Sequence, residues 1–183
     1  RRKGIHIQGD RNMMHKRAIT IMTILCLCPM MSACGNKASA RETAANSVNA
    51  TKKYVDVKAD SDGNIVIPIE DITAYATFYN YVIDDVIVQL VAIRDGDNIP
   101  HISFNTCQSC SPSPKAYYVQ KEDVLQCANC GSVFAPEDIG LIHGGCNPWP
   151  IEEVQIGDES IVIPVASLDS MRNKFTTWMG PTE

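Results

Sequence analysis

The chain predicts a mainly β fold: a small antiparallel β domain with a zinc-ribbon or rubredoxin-like cysteine knuckle region and a short C-terminal helix. Three observations carry that expectation. Short runs rich in Val, Ile, Tyr and Phe recur between turn-forming residues, one stretch alone near the end has helical spacing, and two C-x2-C pairs stand sixteen residues apart at Cys107, Cys110, Cys127 and Cys130.

The N-terminal residues read as something other than this domain. Residues 1 to 12 are taken as an extension upstream of a start at Met13 or Met14. Basic Lys16 and Arg17 then precede an apolar run from Ala18 to Met31, which is shorter than the about 20 residues a membrane helix needs. Basic, apolar and small-residue regions in that order form an export signal. Met31-Ser32-Ala33-Cys34 resembles a bacterial lipobox, so residues 1–33 are read as upstream extension and lipoprotein signal peptide, and Cys34 as the lipidated residue. Two acyl chains give stable anchoring to the cytoplasmic membrane, on its outer side. The alternative is an uncleaved anchor in which Cys26 and Cys28 are small apolar residues in lipid.

Residues 34–53 read as a flexible tether, because Gly35 to Lys53 is rich in Ala, Ser, Asn and Thr and has no aromatic residue. Its reach is on the order of 25 Å. The sequon Asn49-Ala50-Thr51 is read as accidental. Residues 54–183 form the folded domain, long enough for one core of its own.

Within it, strands are expected over Asn64 to Ile69, Tyr75 to Ile83, Val86 to Arg94, Ile99 to Thr106, Ala116 to Gln120, Val124 to Cys127, and Ser160 to Val165. Asp62-Gly63, Asp84-Asp85 and Asp95-Gly96-Asp97 mark turns. Leu168, Met171 and Phe175 place the helix over about Ser167 to Thr177. Ile65-Val66-Ile67-Pro68 is echoed by Ile161-Val162-Ile163-Pro164, read as two similar strands, each ended by proline.

Charge narrows the partners. Residues 1 to 33 hold six of the sixteen Lys and Arg but one of the twenty-one acids, so the remaining chain has ten bases against twenty acids, net -10. Nucleic acid and anionic lipid surfaces are excluded as partners. Acidic doublets such as Glu122-Asp123 and Glu137-Asp138 read as solvated turns.

The chemistry lies in the sulfur. Each C-x2-C sets two thiols on one turn, able to reach a common ion at about 2.3 Å if that ion is zinc. Gly131 after the second pair permits the positive φ of such a turn, and the residues between the pairs read as a hairpin that folds one knuckle over the other. A fifth thiol, Cys146, follows His143-Gly144-Gly145 and exceeds what a structural zinc ribbon needs. It argues for an iron-sulfur cluster, a second metal or an exchangeable ligand; the bland reading is a buried free thiol. His143, three residues before Cys146 on a glycine-softened loop, can join the ligands. His101 is about 20 Å along the strand from Cys107 and reads as a surface or edge residue.

Two further classes stay open. A structural zinc ribbon would serve as a binding module, and a thiol-disulfide oxidoreductase would use the C-x2-C thiols, although neither pair opens a helix by pattern. Serine, paired-carboxylate and phosphate-loop catalysis find no support.

Ile102-Ser103-Phe104-Asn105-Thr106-Cys107-Gln108-Ser109-Cys110, then Cys127-Ala128-Asn129-Cys130-Gly131-Ser132-Val133-Phe134, Ile139-Gly140 and Gly144-Gly145-Cys146-Asn147-Pro148 together resemble the membrane iron-sulfur-containing FtrD-like family. Many relatives carry several membrane helices where this chain has a lipobox. The resemblance covers about residues 60 to 175. It implies that Cys107, Cys110, Cys127, Cys130 and Cys146 form an extracytoplasmic site for an iron-sulfur cluster or iron, with zinc as the alternative. It also implies a role beside an iron permease or a redox partner, in electron transfer or iron delivery.

Overall fold

The computed structural model describes residues 53–183. The residues read above as signal peptide, Cys34 and those read as tether, all but Lys53, lie outside the described residues. Among those described, no helix is long and apolar enough to cross a membrane.

The centre is a five-stranded sheet. Its strands are β1 (Tyr54–Asp56), β3 (Thr77–Ile83), β4 (Val86–Arg94), β5 (Pro100–Cys107) and β9 (Pro148–Trp149), in the order β1-β3-β4-β5-β9. β1 runs parallel to β3 and the other pairs are antiparallel. Six consecutive residues of β4, Val88 to Ile93, are buried, which is the pattern of a strand covered on both faces.

Side chains alternate between two cores, as the period of a strand requires. Val88, Leu90 and Ala92 join Tyr79, Ile102 and Phe104 on one face. Val91 and Ile93 join Phe78 and Cys107 on the other.

The first face is covered by a small sheet of β10 (Gln155–Ile156), β11 (Ser160–Pro164) and β2 (Asn64–Pro68), followed by α1 (Val165–Met171). The two echoed segments pair directly and antiparallel: Ile161 faces Ile67, Val162 faces Val66 and Ile163 faces Ile65. Their four isoleucines are buried. Each contributes roughly 1.5–3 kcal/mol by leaving water. Pro68 and Pro164 close the two strands, and each is followed by helix.

The second face is covered by β6 (Tyr118–Lys121), β7 (Val124–Cys127) and β8 (Val133–Phe134), the sheet that carries the second knuckle, while the first leaves the end of β5. Ala116, Tyr118, Leu125 and Ile139 pack there against the central sheet.

The mainly β architecture is as expected, with small antiparallel sheets and one short helix. The differences lie at the edges. β1, β8, β9 and β10 are only two or three residues long and offer no period to read. The helix ends at Met171 and passes into a 3-10 turn, Arg172–Lys174, because Phe175 has to reach Phe104 across the core.

Candidate metal centre

β5 and β7 both end on the first cysteine of a pair, so each knuckle is a strand terminus that turns back on itself. In the first, the Cys107 carbonyl accepts the Ser111 N–H at 3.0 Å, and the Cys110 N–H points at the Cys107 sulfur at 3.4 Å. In the second, the Cys127 carbonyl accepts the Gly131 N–H at 2.9 Å, with Gly131 at φ 78°. That positive φ is where a side chain would be strained.

The hairpin brings the knuckles together as expected. Tyr118 and Cys127 are register partners across β6 and β7, and Cys107 N–H donates to the Ala116 carbonyl at 3.0 Å just before β6 begins. Ser113 hydroxyl to Asn129 Oδ1, at 2.7 Å, ties one knuckle turn to the other.

The sulfurs fall into two groups of three. Cys107, Cys110 and Cys146 lie within 4.8 Å of one another, and so do Cys110, Cys127 and Cys130. Cys110 belongs to both, with its sulfur 3.9 Å from that of Cys127. This differs from the plain convergence of two knuckles on four thiols, because the fifth cysteine completes the first group. All five are free thiols.

The donor chemistry suits an iron-sulfur or other thiophilic centre. Two sulfurs bound tetrahedrally at about 2.3 Å stand about 3.8 Å apart, the spacing of Cys110 and Cys127. Soft thiolates without oxygen donors select zinc, iron and iron-sulfur clusters over calcium or magnesium.

Cys146 is held by side chains to which the sequence pattern assigns no role. Gln108, in the middle of the first knuckle, donates from Nε2 to the carbonyls of Ile142 at 2.9 Å and Pro148 at 3.0 Å. Its Oε1 accepts the Gly144 N–H at 2.6 Å. Ser109 hydroxyl donates to the Gly145 carbonyl at 2.5 Å, and the buried Tyr118 hydroxyl donates to the Cys146 carbonyl. Gly144 and Gly145 both have positive φ, so the loop turns where only glycine is comfortable. At Gly140, also at positive φ, a Cβ would run into the Ile102 carbonyl oxygen.

The thiols are electrostatically unlike one another. Burial raises the Cys110 thiol and pushes Cys127 up to about 11. Cys130, exposed and hydrogen-bonded to the Ser132 hydroxyl at 3.4 Å, is lowered to about 6. At Cys107 burial raises the thiol but is outweighed by hydrogen bonding, the Cys110 N–H included, and the net direction is down. Cys146 is raised, chiefly by its neighbour Cys130.

The histidines lie apart from the sulfur groups. His143 is exposed on the Cys146 loop and belongs to neither triad. His101 lies on β5 beyond the reach of β9, hence at an edge, but it is 9 % exposed rather than on the surface. Its Nε2 meets Asp95 Oδ2 at 2.9 Å, and that partner is what permits burial.

Fold and site together define a small β protein built around a thiol cluster. Residues 69–175, more than half of the chain, match the family described as membrane iron-sulfur containing protein FtrD-like, and the chain belongs to that family. No curated protein and no solved structure matches it.

Proposed function

We propose that this protein carries an iron centre, as an iron-sulfur cluster, on the thiols of Cys107, Cys110, Cys127, Cys130 and Cys146. It serves electron transfer or iron delivery at a membrane permease, from a domain tethered outside the cytoplasmic membrane through lipidated Cys34. The observation that carries this reading is the meeting of Cys146 with Cys107 and Cys110, since a structural ribbon is complete without a fifth thiol. The family description supports iron and sulfur, and the net acidity of the chain beyond residue 33 favours cations over nucleic acid.

Bound iron would supply one-electron chemistry, and the residues around it set its conditions. Cys107 and Cys127 are buried while Cys130 is exposed, so one edge of the site faces solvent, where a partner can approach. The Cys110 N–H, pointed at the Cys107 sulfur, stabilises negative charge there.

Purification without oxygen, followed by iron and acid-labile sulfide analysis and an absorbance spectrum, tests the proposal. Coloured protein containing both iron and sulfide is expected. Colourless protein with one zinc and no sulfide overturns it in favour of the zinc ribbon. Loss of membrane association in Cys34→Ala tests the anchor.

One observation favours a second reading: Cys130 combines exposure with a lowered pKa, the properties of an attacking thiol. Neither C-x2-C pair stands at a helix N-terminus. Reduction of insulin by the metal-free protein would establish an oxidoreductase, and absence of turnover would dismiss it.

A further inference from the structure

We infer that the centre has two metal positions, one in each sulfur triad, and that the Cys110 thiolate is shared between them. The inference rests on the reading that these thiols bind metal, and adds how they divide.

Membership of the two groups is the starting point. Cys107, Cys110 and Cys146 form one triangle of sulfurs, Cys110, Cys127 and Cys130 the other, each closed within 4.8 Å. Cys110 stands at the common vertex. A thiolate has lone pairs for two metal ions, so one sulfur can complete two triangles that would each otherwise have two protein ligands.

The two positions differ in surroundings. Both triangles touch the core, through buried Cys107 and Cys127, but the one with Cys107 also takes in the Cys146 loop, which Gln108, Ser109 and Tyr118 fasten in place. The triangle with Cys130 has its outer vertex exposed. Three protein sulfurs per tetrahedral ion leave one coordination position in each triangle for water, sulfide or a ligand brought by a partner. Loading balances as two divalent ions plus five thiols giving a five-thiolate, two-metal unit of net charge minus one and five released protons. No electrons move.

This arrangement gives Cys146 a role as a full ligand of the inner position. It also explains why the chain anchors the Cys146 loop so firmly to Gln108, which lies between the two cysteines of the first knuckle.

The test uses the full chain, reduced and metal-free, titrated with 113Cd(II) without oxygen and followed by NMR and by native mass spectrometry. Two cadmium ions per chain are expected, with two resonances split by coupling to each other through the shared sulfur. Cys110→Ser is expected to abolish the splitting. Cys146→Ser, which leaves both knuckles intact, is expected to retain one ion. A single cadmium in the unaltered chain overturns the two-position inference while leaving metal binding in place, and two uncoupled resonances overturn the sharing of Cys110. No cadmium at all overturns both this inference and the proposed function.

Discussion

Gln108 Oε1 accepts the Gly144 N–H at 2.6 Å, joining the first knuckle to the loop that ends in Cys146. With the two bonds from its Nε2, a single amide side chain satisfies three backbone groups that would otherwise depend on water.

Gln108→Ala should therefore loosen Cys146 without removing a ligand. Outer residues that orient ligands typically contribute 10–100-fold to metal affinity, and a loss of about that size is expected in competition with a chromophoric chelator. Unchanged affinity would mean that the loop holds its shape without the amide.

The exposed thiol offers a separate measurement. In metal-free protein, alkylation of Cys130 should rise with a midpoint near pH 6, where its thiol ionises. Cys127, pushed up to about 11, should stay largely unreacted at neutral pH. Ser132→Ala removes the hydroxyl that stabilises the thiolate and should move the Cys130 midpoint toward the ordinary value of about 8.5. Peptide mass spectrometry after timed alkylation reads both.

Asp95 gives a pH dependence of known sign. Its carboxyl is held below the ordinary value, first by the hydrogen bond with His101 and then by the Ile99 N–H. A carboxyl lowered by folding stabilises the fold fully above its unfolded value of about 3.9, and this contribution disappears as pH falls through the folded value. Asp95→Asn should flatten that part of the stability curve, measured by urea unfolding between pH 5 and roughly pH 2. A variant as acid-sensitive as the parent would refute the assignment.

Behind the thiols, Asn105 connects three elements. Its Oδ1 accepts the Tyr118 N–H at 2.7 Å, its Nδ2 donates to Gln89 Oε1 at 2.6 Å, and its carbonyl accepts the Trp178 indole N–H at 2.9 Å. Asn105→Ala leaves the buried Gln89 oxygen and Tyr118 N–H without partners, at about 1–3 kcal/mol each. Chemical denaturation should show a loss on the order of 2–6 kcal/mol for the pair. A loss below about 1 kcal/mol would show that water replaces the amide.

Much of this structure was legible because its strands are long enough to show a period and its thiols have a characteristic spacing. β4 reads as an almost unbroken apolar run because it is covered on both faces, and the pairs at Cys107 and Cys127 fall where strands end. The division of sulfurs was not legible, since C-x2-C spacing says which thiols share a turn and nothing about where a distant loop lands. The role of Gln108 is illegible for a related reason: a glutamine in a knuckle has no distinguishing pattern until its partners, more than thirty residues away, are seen. His101 illustrates the converse, because distance along the strand correctly separated it from Cys107 but could not reveal Asp95 folding back beside it. β8, β9 and β10 are defined by what they pair with rather than by composition.

The pairing of Ile65 and Ile67 with Ile163 and Ile161 has a meaning in time as well as in space. During synthesis Cys107, Cys110, Cys127, Cys130 and Cys146 are all made before Ser160 to Pro164 exists, so β2 must wait with its isoleucines bare until that strand has emerged. The sheet that backs the sulfurs lacks one of its two coverings until then. A platform covered on both faces thus exists only once Ser160 to Pro164 has been made, and a chain interrupted before Ser160 would carry all five thiols on a half-built support.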